Sequence, residues 1–284
     1  MDINWSYKNK SHVFDIKDST GVPYLSFKAL DDTGLAVNGF STRMGGASRG
    51  KFSTMNFSYS RGDAAEDVLE NFTRMAAALG VERDRMVVSH QTHTVNLRRV
   101  TQEDAGKGVV RERDYRDIDG LITDVPGLTL VTFYADCVPL YLLDPVNRAI
   151  GLSHSGWRGT VKRMGQGTVD AMKEAFGTKP GDLIACVGPS ICRECFEVGG
   201  EVVEEFRKAF EPEYWEELYC QGKRPGKYQL DLWKANEIIF REAGIRRENI
   251  HITNICTMCN SDYLFSHRKV GEERGNLAAF LCLR

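Results

Sequence analysis

Between residues 128 and 153 the chain carries three apolar stretches with little to separate them. Leu128 to Tyr134, Val138 to Leu143 and Ala149 to Ser153 are built from leucine, β-branched and aromatic residues, the composition of buried strands. Asp144-Pro145-Val146-Asn147 joins the last two and reads as a turn. A link that short cannot hold a crossover helix, so the strands it joins run antiparallel. Further strands are expected at Asn38 to Thr42, Met86 to Ser89, Val95 to Val100, Leu183 to Val187, Ile250 to Ile255 and Leu277 to Leu283. Hairpin-type turns outnumber crossover helices. The pattern therefore favours an α+β fold with mixed or antiparallel sheets over a doubly wound parallel one. No Gly-x-Gly-x-x-Gly follows a strand, which argues against a dinucleotide fold.

Helical periodicity is clearest from Asp63 to Gly80. Val68, Leu69, Phe72, Met75, Ala76 and Leu79 share one face. Asp63 followed by Glu66 resembles a capping box, and Gly80 is a C-terminal stop. Thr160 to Phe176, Glu201 to Phe210 and Asp231 to Ala243 are the other expected helices. The 284 residues contain no repeat and no linker, so 1–284 reads as one domain, with 1–30 as an N-terminal hairpin extension. A net charge of -2 gives no footprint for nucleic acid or an anionic membrane. No apolar run approaches the ~18 residues of a membrane helix and no secretory leader is visible, so the expected location is cytoplasmic. There the eight cysteines read as core residues, ligands or nucleophiles, not disulfides.

Three motifs carry chemistry: Gln91-Thr92-His93, Ala135-Asp136-Cys137-Val138-Pro139 and His154-Ser155-Gly156-Trp157-Arg158-Gly159. Two imidazoles and a thiolate form a three-donor zinc set, and a fourth position left to water distinguishes a catalytic zinc from a structural one. Neither gap between the three residues is a zinc-finger spacing, so such a site has to be assembled by the tertiary fold. Each residue taken alone more often serves as a hydrogen-bonded core group at a strand end. His90, three positions before His93, is read as non-ligating, because the two would face opposite sides of a strand. Cys192-x-x-Cys195 and Cys256-x-x-Cys259 together look like a four-thiolate zinc knot. The long gap between them leaves buried thiols acting as small hydrophobes as the commoner alternative.

From Asn38 to the C-terminus the chain resembles the laccase-domain, or multicopper polyphenol oxidase-like, proteins, whose members are described as zinc-dependent purine nucleoside phosphorylases. The resemblance rests on those three motifs, on Gly39-Phe40-Ser41-Thr42-Arg43 with Gly45-Gly46, and on Met55-Asn56-Phe57. Asp119-Gly120-Leu121-Ile122-Thr123, Gly188-Pro189-Ser190-Ile191, Cys195-Phe196-Glu197-Val198-Gly199 and Phe265-Ser266-His267-Arg268 complete it. It implies a layered α/β/β/α sandwich and a zinc ion held by His93, Cys137 and His154, with copper as an adventitious occupant. It also implies phosphorolysis of adenosine, inosine and S-methyl-5'-thioadenosine, with adenosine deamination as a second activity. Three departures stand out. Thr94 replaces the glycine usual after the QxH histidine, Lys269 replaces an arginine, and Glu273-Arg274-Gly275 replaces a Thr-Gly-Arg element.

On that reading Cys137 is catalytic through the metal, and Asp136 or Glu197 is the acid/base carboxylate. Arg43, Arg158 and Asn56 are the candidate phosphate and ribose contacts. Arg158-Gly159 is expected to form an anion site at the start of a helix near Thr160. The expected partners are a small-molecule nucleoside and phosphate, and the oligomeric state is open. Three rivals remain. One is a cysteine hydrolase using Cys137 and His154 on an amide or ester. Another is a copper-dependent phenol oxidase, disfavoured by six histidines with no His-x-His pair. The third is a binding module in which Asp136 or His90 closes a structural zinc site.

Overall fold

The computed structural model describes residues 3–18 and 20–284. Two six-stranded sheets share a core. In spatial order the first contains Phe14–Lys17, Tyr24–Phe27, Ala36–Ser41, Leu277–Leu283, Thr129–Tyr134 and Met86–Val88. The second contains Ile250–Ile252, Ile184–Val187, Val138–Asp144, Ala149–Ser155, Gly120–Thr123 and Leu97–Arg99. Parallel pairing in these sheets is confined to their edges, at Met86–Val88, Leu97–Arg99 and Ile250–Ile252. A small third sheet joins Glu197–Gly199, Lys227–Leu230 and Tyr219–Gln221. The architecture is thus mixed and largely antiparallel.

Phe27, Phe40, Tyr134, Tyr141, Leu143, Leu152 and Leu281 fill the space between the two sheets. The helix Ala65–Leu79 covers the outer face of the first sheet, with Phe72 and Met75 packed among Val131 and Phe280. Met164–Phe176 and Leu232–Glu242 cover the outer face of the second through Val169, Met172, Ile239 and Phe240. The layers are therefore α/β/β/α. Every residue of Val138–Asp144, Ala149–Ser155 and Leu277–Leu283 is buried. That explains their unbroken apolar runs, since strands covered on both faces do not alternate. Each such Leu or Phe contributes about 1.5–3 kcal/mol relative to an exposed one.

Several boundaries differ from the sequence reading. Ala149–Ser155 runs two residues further than expected, so His154 lies inside a strand. The helix expected from Thr160 is two segments, Trp157–Val161 and Met164–Phe176, broken where Arg163 adopts φ 61°. Asp63 caps no helix. Ala64 is the N-cap, and Asp63 accepts a hydrogen bond from Asn56 instead. Phe14–Lys17 and Tyr24–Phe27 form an antiparallel pair, and Tyr24–Phe27 continues onto Ala36–Ser41 as part of the first sheet. Of the expected 1–30 hairpin, residues 1, 2 and 19 lie outside the described residues. No helix among the described residues is long and apolar enough to cross a membrane.

Candidate active site

The chain leaves the first sheet after Tyr134 and enters the second at Val138. The turn between them, Ala135-Asp136-Cys137, sits where the two sheets meet, and Asp136 holds φ 88° there. Pro139 lies within the ladder. It pairs with His154 near the start of its strand, and its carbonyl accepts from the Gly188 N–H at 2.8 Å. Because Pro139 lies opposite His154, the thiol two residues before Pro139 reaches the same end of the sheet. Gly156 begins the turn after that strand. A Cβ there would lie 3.1 Å from Cys137 Sγ and 3.2 Å from His93 Cδ2. Gly156→Val is therefore expected to weaken metal binding roughly tenfold through crowding, read by chelator competition. Unchanged affinity would show that the two donors move aside freely.

His93 comes from the other direction, on the loop after Met86–Val88, with φ 63°. Gln91 anchors that loop. Its amide donates to Phe133 O at 2.8 Å, and its Oε1 accepts from Phe133 N at 2.6 Å. One donor atom each from His93, Cys137 and His154 lies within 4.8 Å of the others. The His93 and His154 rings stand nearly perpendicular, with centroids 5.0 Å apart. Three donors at bond lengths of about 2.0–2.3 Å around one ion need that degree of convergence. The site is thus able to hold a metal ion.

Asp119, fully buried, organises two of the three donors. Oδ1 accepts from His154 Nδ1 at 2.9 Å and from His93 N at 3.1 Å. Oδ2 accepts from Thr92 N at 3.1 Å, Thr94 N at 2.9 Å and Thr94 Oγ1 at 2.8 Å. Occupying Nδ1 of His154 leaves Nε2 for a metal, the usual carboxylate–histidine–metal relay. Thr94, the departure beside His93, thus adds a hydroxyl bond to the same carboxylate. Burial works to raise the Asp119 carboxyl, but bonds from His154, Thr92 and Thr94 hold it down at about 2. Burial would raise the Cys137 thiol, yet the His154 and His93 imidazoles pull it down to about 6. Burial would lower His154, and the Cys137 thiolate and Asp119 carboxylate lift it to about 9 instead.

The three donors open into a cleft of about 370 Å³ that also exposes Ser58, Tyr59, His90, Phe133 and Asn276. Three arginines line it: Arg61, Arg113 and Arg274. Arg274 is only 7% exposed, and its Nε has no hydrogen-bond partner. Burial, then repulsion from Arg61, weakens its hold on its proton, to about 10. Burial likewise lowers Arg113. Arg61 and Arg113 are half-buried; Arg61 pairs with Glu272, Arg113 donates to Ser89 O, and Arg274 donates through Nη1 to Asn276. Guanidinium groups clustered in this way have further N–H donors that suit a bound oxyanion.

A family model described as multi-copper polyphenol oxidoreductase laccase matches residues 37–284. The chain belongs to this family. It is 34% identical over 250 residues to purine nucleoside phosphorylase YlmD of Geobacillus stearothermophilus, covering 87% of this chain and 89% of that protein. It is 34% identical over 241 residues to adenosine deaminase RL5 from an unknown prokaryotic organism, covering 84% of this chain and 91% of that protein. The crystal structure of YlmD from Geobacillus stearothermophilus superposes with a TM-score of 0.87 at 32% identity, covering 96% of this chain and 99% of that one.

Within this family fold, the residues expected as phosphate, ribose and acid/base contacts fall outside the cleft. Arg43 donates to Ser53 O at 2.9 Å and Ser261 O at 3.2 Å and stacks over Phe265, so its guanidinium is committed to the loop. Asn56 is fully buried. It bonds Asp63, Ser58 and the backbone N–H of Asn276, and so positions cleft residues without lining the cleft. Arg158 lies over its own neighbour, Trp157, at 4.3 Å, and its five-residue helix offers no extended N-terminus for an anion. Glu197 accepts from Lys223 N and Arg224 Nε, which lower its pKa. Asp136 accepts from Thr257 Oγ1 and Arg268 N, each at 2.6 Å, and lines a separate apolar recess of about 130 Å³ with Trp157, Ile191 and Phe196. Both carboxylates are engaged in holding loops. His90 lines the cleft with Nδ1 accepting from Asp117 N at 3.0 Å, and it is not one of the grouped donors.

Proposed function

We propose that the chain is a zinc-dependent purine nucleoside phosphorylase acting on adenosine, inosine and S-methyl-5'-thioadenosine, with adenosine deamination as a second activity. The observation that carries this reading is the placement of the His93, Cys137 and His154 donors on the wall of a cleft that also holds three arginines. The names carried by the relatives, purine nucleoside phosphorylase and adenosine deaminase, support the same reading. A zinc ion bound by the three donors supplies Lewis acidity and an acidified water at neutral pH.

The protein's own part in phosphorolysis is charge and position. A phosphate oxygen bonds to the anomeric carbon as the bond from that carbon to the purine nitrogen breaks, and the electron pair leaves with the base. Arg274, Arg61 and Arg113 would hold the phosphate dianion against the sugar. His90, with Nδ1 accepting from Asp117 N, carries its ring hydrogen on Nε2 and would donate a hydrogen bond to the departing base, whose proton comes from solvent. These roles replace those expected for Arg43, Arg158, Asp136 and Glu197.

The test is to incubate metal-analysed protein with adenosine and phosphate. Free adenine with ribose 1-phosphate supports the reading, and no base release with or without added zinc removes it. Arg274→Met is expected to raise KM for phosphate about 10–100-fold, the loss of a charge-assisted contact of roughly 1.5–3 kcal/mol. Adenosine deamination, which uses no phosphate, serves as the control. An unchanged phosphate KM would remove Arg274 from the anion site.

The lowered Cys137 thiol beside a raised His154 also suits a thiolate–imidazolium nucleophile pair. Hydrolysis of an amide or ester that survives complete chelation would favour that second reading.

A further inference from the structure

We propose that Cys192, Cys195, Cys256 and Cys259 form a second metal site, a closed four-thiolate zinc centre that ties together the two loops behind Asp136. One sulfur from each residue lies within 4.8 Å of the other three. Cys195 Sγ and Cys259 Sγ are 3.5 Å apart. A tetrahedral zinc with Zn–S bonds of about 2.3 Å holds its sulfurs roughly 3.8 Å from one another, so the thiols already stand at near-ligating separation. The pattern is two Cys-x-x-Cys turns facing each other, brought together by the fold across a long stretch of sequence.

The fold accounts for the convergence. Ile184–Val187 and Ile250–Ile252 pair in parallel, and their chains leave the sheet side by side, still bridged at Ser190 and Cys256. Each then turns back through its cysteine pair. Backbone N–H groups aim at sulfur, as a thiolate-rich centre requires. Cys192 N donates to Cys256 Sγ at 3.3 Å, and Cys259 N donates to the same atom at 3.5 Å. Lys8 sits beside the cluster and pairs with Glu194 at 3.2 Å, adding a cation next to a centre whose net charge would be negative.

The thiols are not simply core filling. Cys192 and Cys256 are buried, but Cys195 is half-buried and Cys259 exposed. An apolar role explains the first two and part of Cys195, which packs against the same core, but leaves the exposed Cys259 without a reason to converge on them. Four protein donors leave no open coordination position, so the centre is structural.

Its position also gives it a consequence. Ile191, next to Cys192, donates its N–H to Asp136 O at 3.1 Å. Thr257, next to Cys256, donates to Asp136 Oδ1 at 2.6 Å. The turn that presents Cys137 is thus braced by the immediate neighbours of two of the four thiols. A metal there would fix that turn from behind.

The experiment uses full-length protein carrying Cys137→Ala, which removes a donor of the other site, so its outcome does not depend on the proposed phosphorolysis. After reconstitution with zinc under reducing conditions and removal of loosely held metal, this variant is expected to retain one zinc per chain. X-ray absorption should show a shell of sulfur alone. Adding Cys195→Ser and Cys259→Ser should abolish that zinc and lower Tm by roughly 10 °C. Should the triple variant not fold, cobalt loaded into the Cys137→Ala protein is read instead, with intense thiolate-to-cobalt bands and tetrahedral ligand-field bands expected. No retained zinc, a nitrogen-containing shell, or a Cys195–Cys259 disulfide that persists in reductant would each overturn the proposal.

Discussion

Cys137→Ala is expected to lower turnover of adenosine with phosphate by about 10³-fold or more, roughly 4 kcal/mol of transition-state stabilisation. The thiolate is one of three donors grouped within 4.8 Å. Without it two imidazoles remain, one exposed on a loop and one buried in a strand, and two neutral ligands hold zinc weakly. Zinc at this site should fall with activity. His154→Ala should reproduce the loss, and combining the two should add little, because both remove one unit. The informative variant is Cys137→His. An imidazole can ligate zinc but cannot replace a thiolate nucleophile. Measurable, chelator-sensitive turnover in Cys137→His would support the metal reading. A protein that binds zinc in that variant yet is inert, beside a wild type active without zinc, would overturn it in favour of the hydrolase.

The layers of this fold follow from features a reader of the chain can see. Continuous apolar runs such as Val138 to Leu143 indicate strands covered on both faces, and the Asp144-Pro145 turn dictates antiparallel pairing. The three donors were visible as motifs, but their meeting was not, since it depends on the chain crossing between sheets at Cys137. The sequence points to an anion site only through local context, an arginine in a glycine-rich loop or near a helix start. Local logic fails where burial decides. Arg43 and Arg158 are engaged away from the cleft, whereas Arg61, Arg113 and Arg274 come from separate loops and share its wall, though each also has a partner there, Glu272, Ser89 O and Asn276 respectively. Arg274 carried a signal even so, in the altered Glu273-Arg274-Gly275 element, which still provides an arginine. The cysteine pairs show the same limit. Their spacing within each turn was legible, and their proximity depended on one parallel strand pair at a sheet edge.

In the sequence Asp119 stands out only as the first residue of a motif, yet the largest effect away from the donors themselves is expected there. Its two oxygens accept five hydrogen bonds, from three consecutive backbone N–H groups at Thr92, His93 and Thr94, from the Thr94 hydroxyl and from His154. An amide cannot replace it. In Asp119→Asn one oxygen becomes an NH₂ that opposes at least one backbone N–H, of His93 at the Oδ1 position or of Thr92 and Thr94 at Oδ2; in the first case His154 keeps its bond only by accepting at Nδ1, which puts its hydrogen on Nε2, the atom a metal needs. The loss of a buried charge and its partners costs roughly 3 kcal/mol or more of stability, read as a lowered Tm. Freed to rotate, the His154 ring presents Nε2 less often, and the His93 loop loses its anchor. Zinc affinity should fall about 10–100-fold, measured by competition with a chelator. The split between affinity and turnover then separates the two kinds of residue. Saturating zinc should restore most of kcat in Asp119→Asn, because all three donors are present, and restore little in Cys137→Ala. If Asp119→Asn binds zinc as tightly as the wild type, the carboxylate does not orient the histidines, and the geometry around His154 must be held by the strand alone.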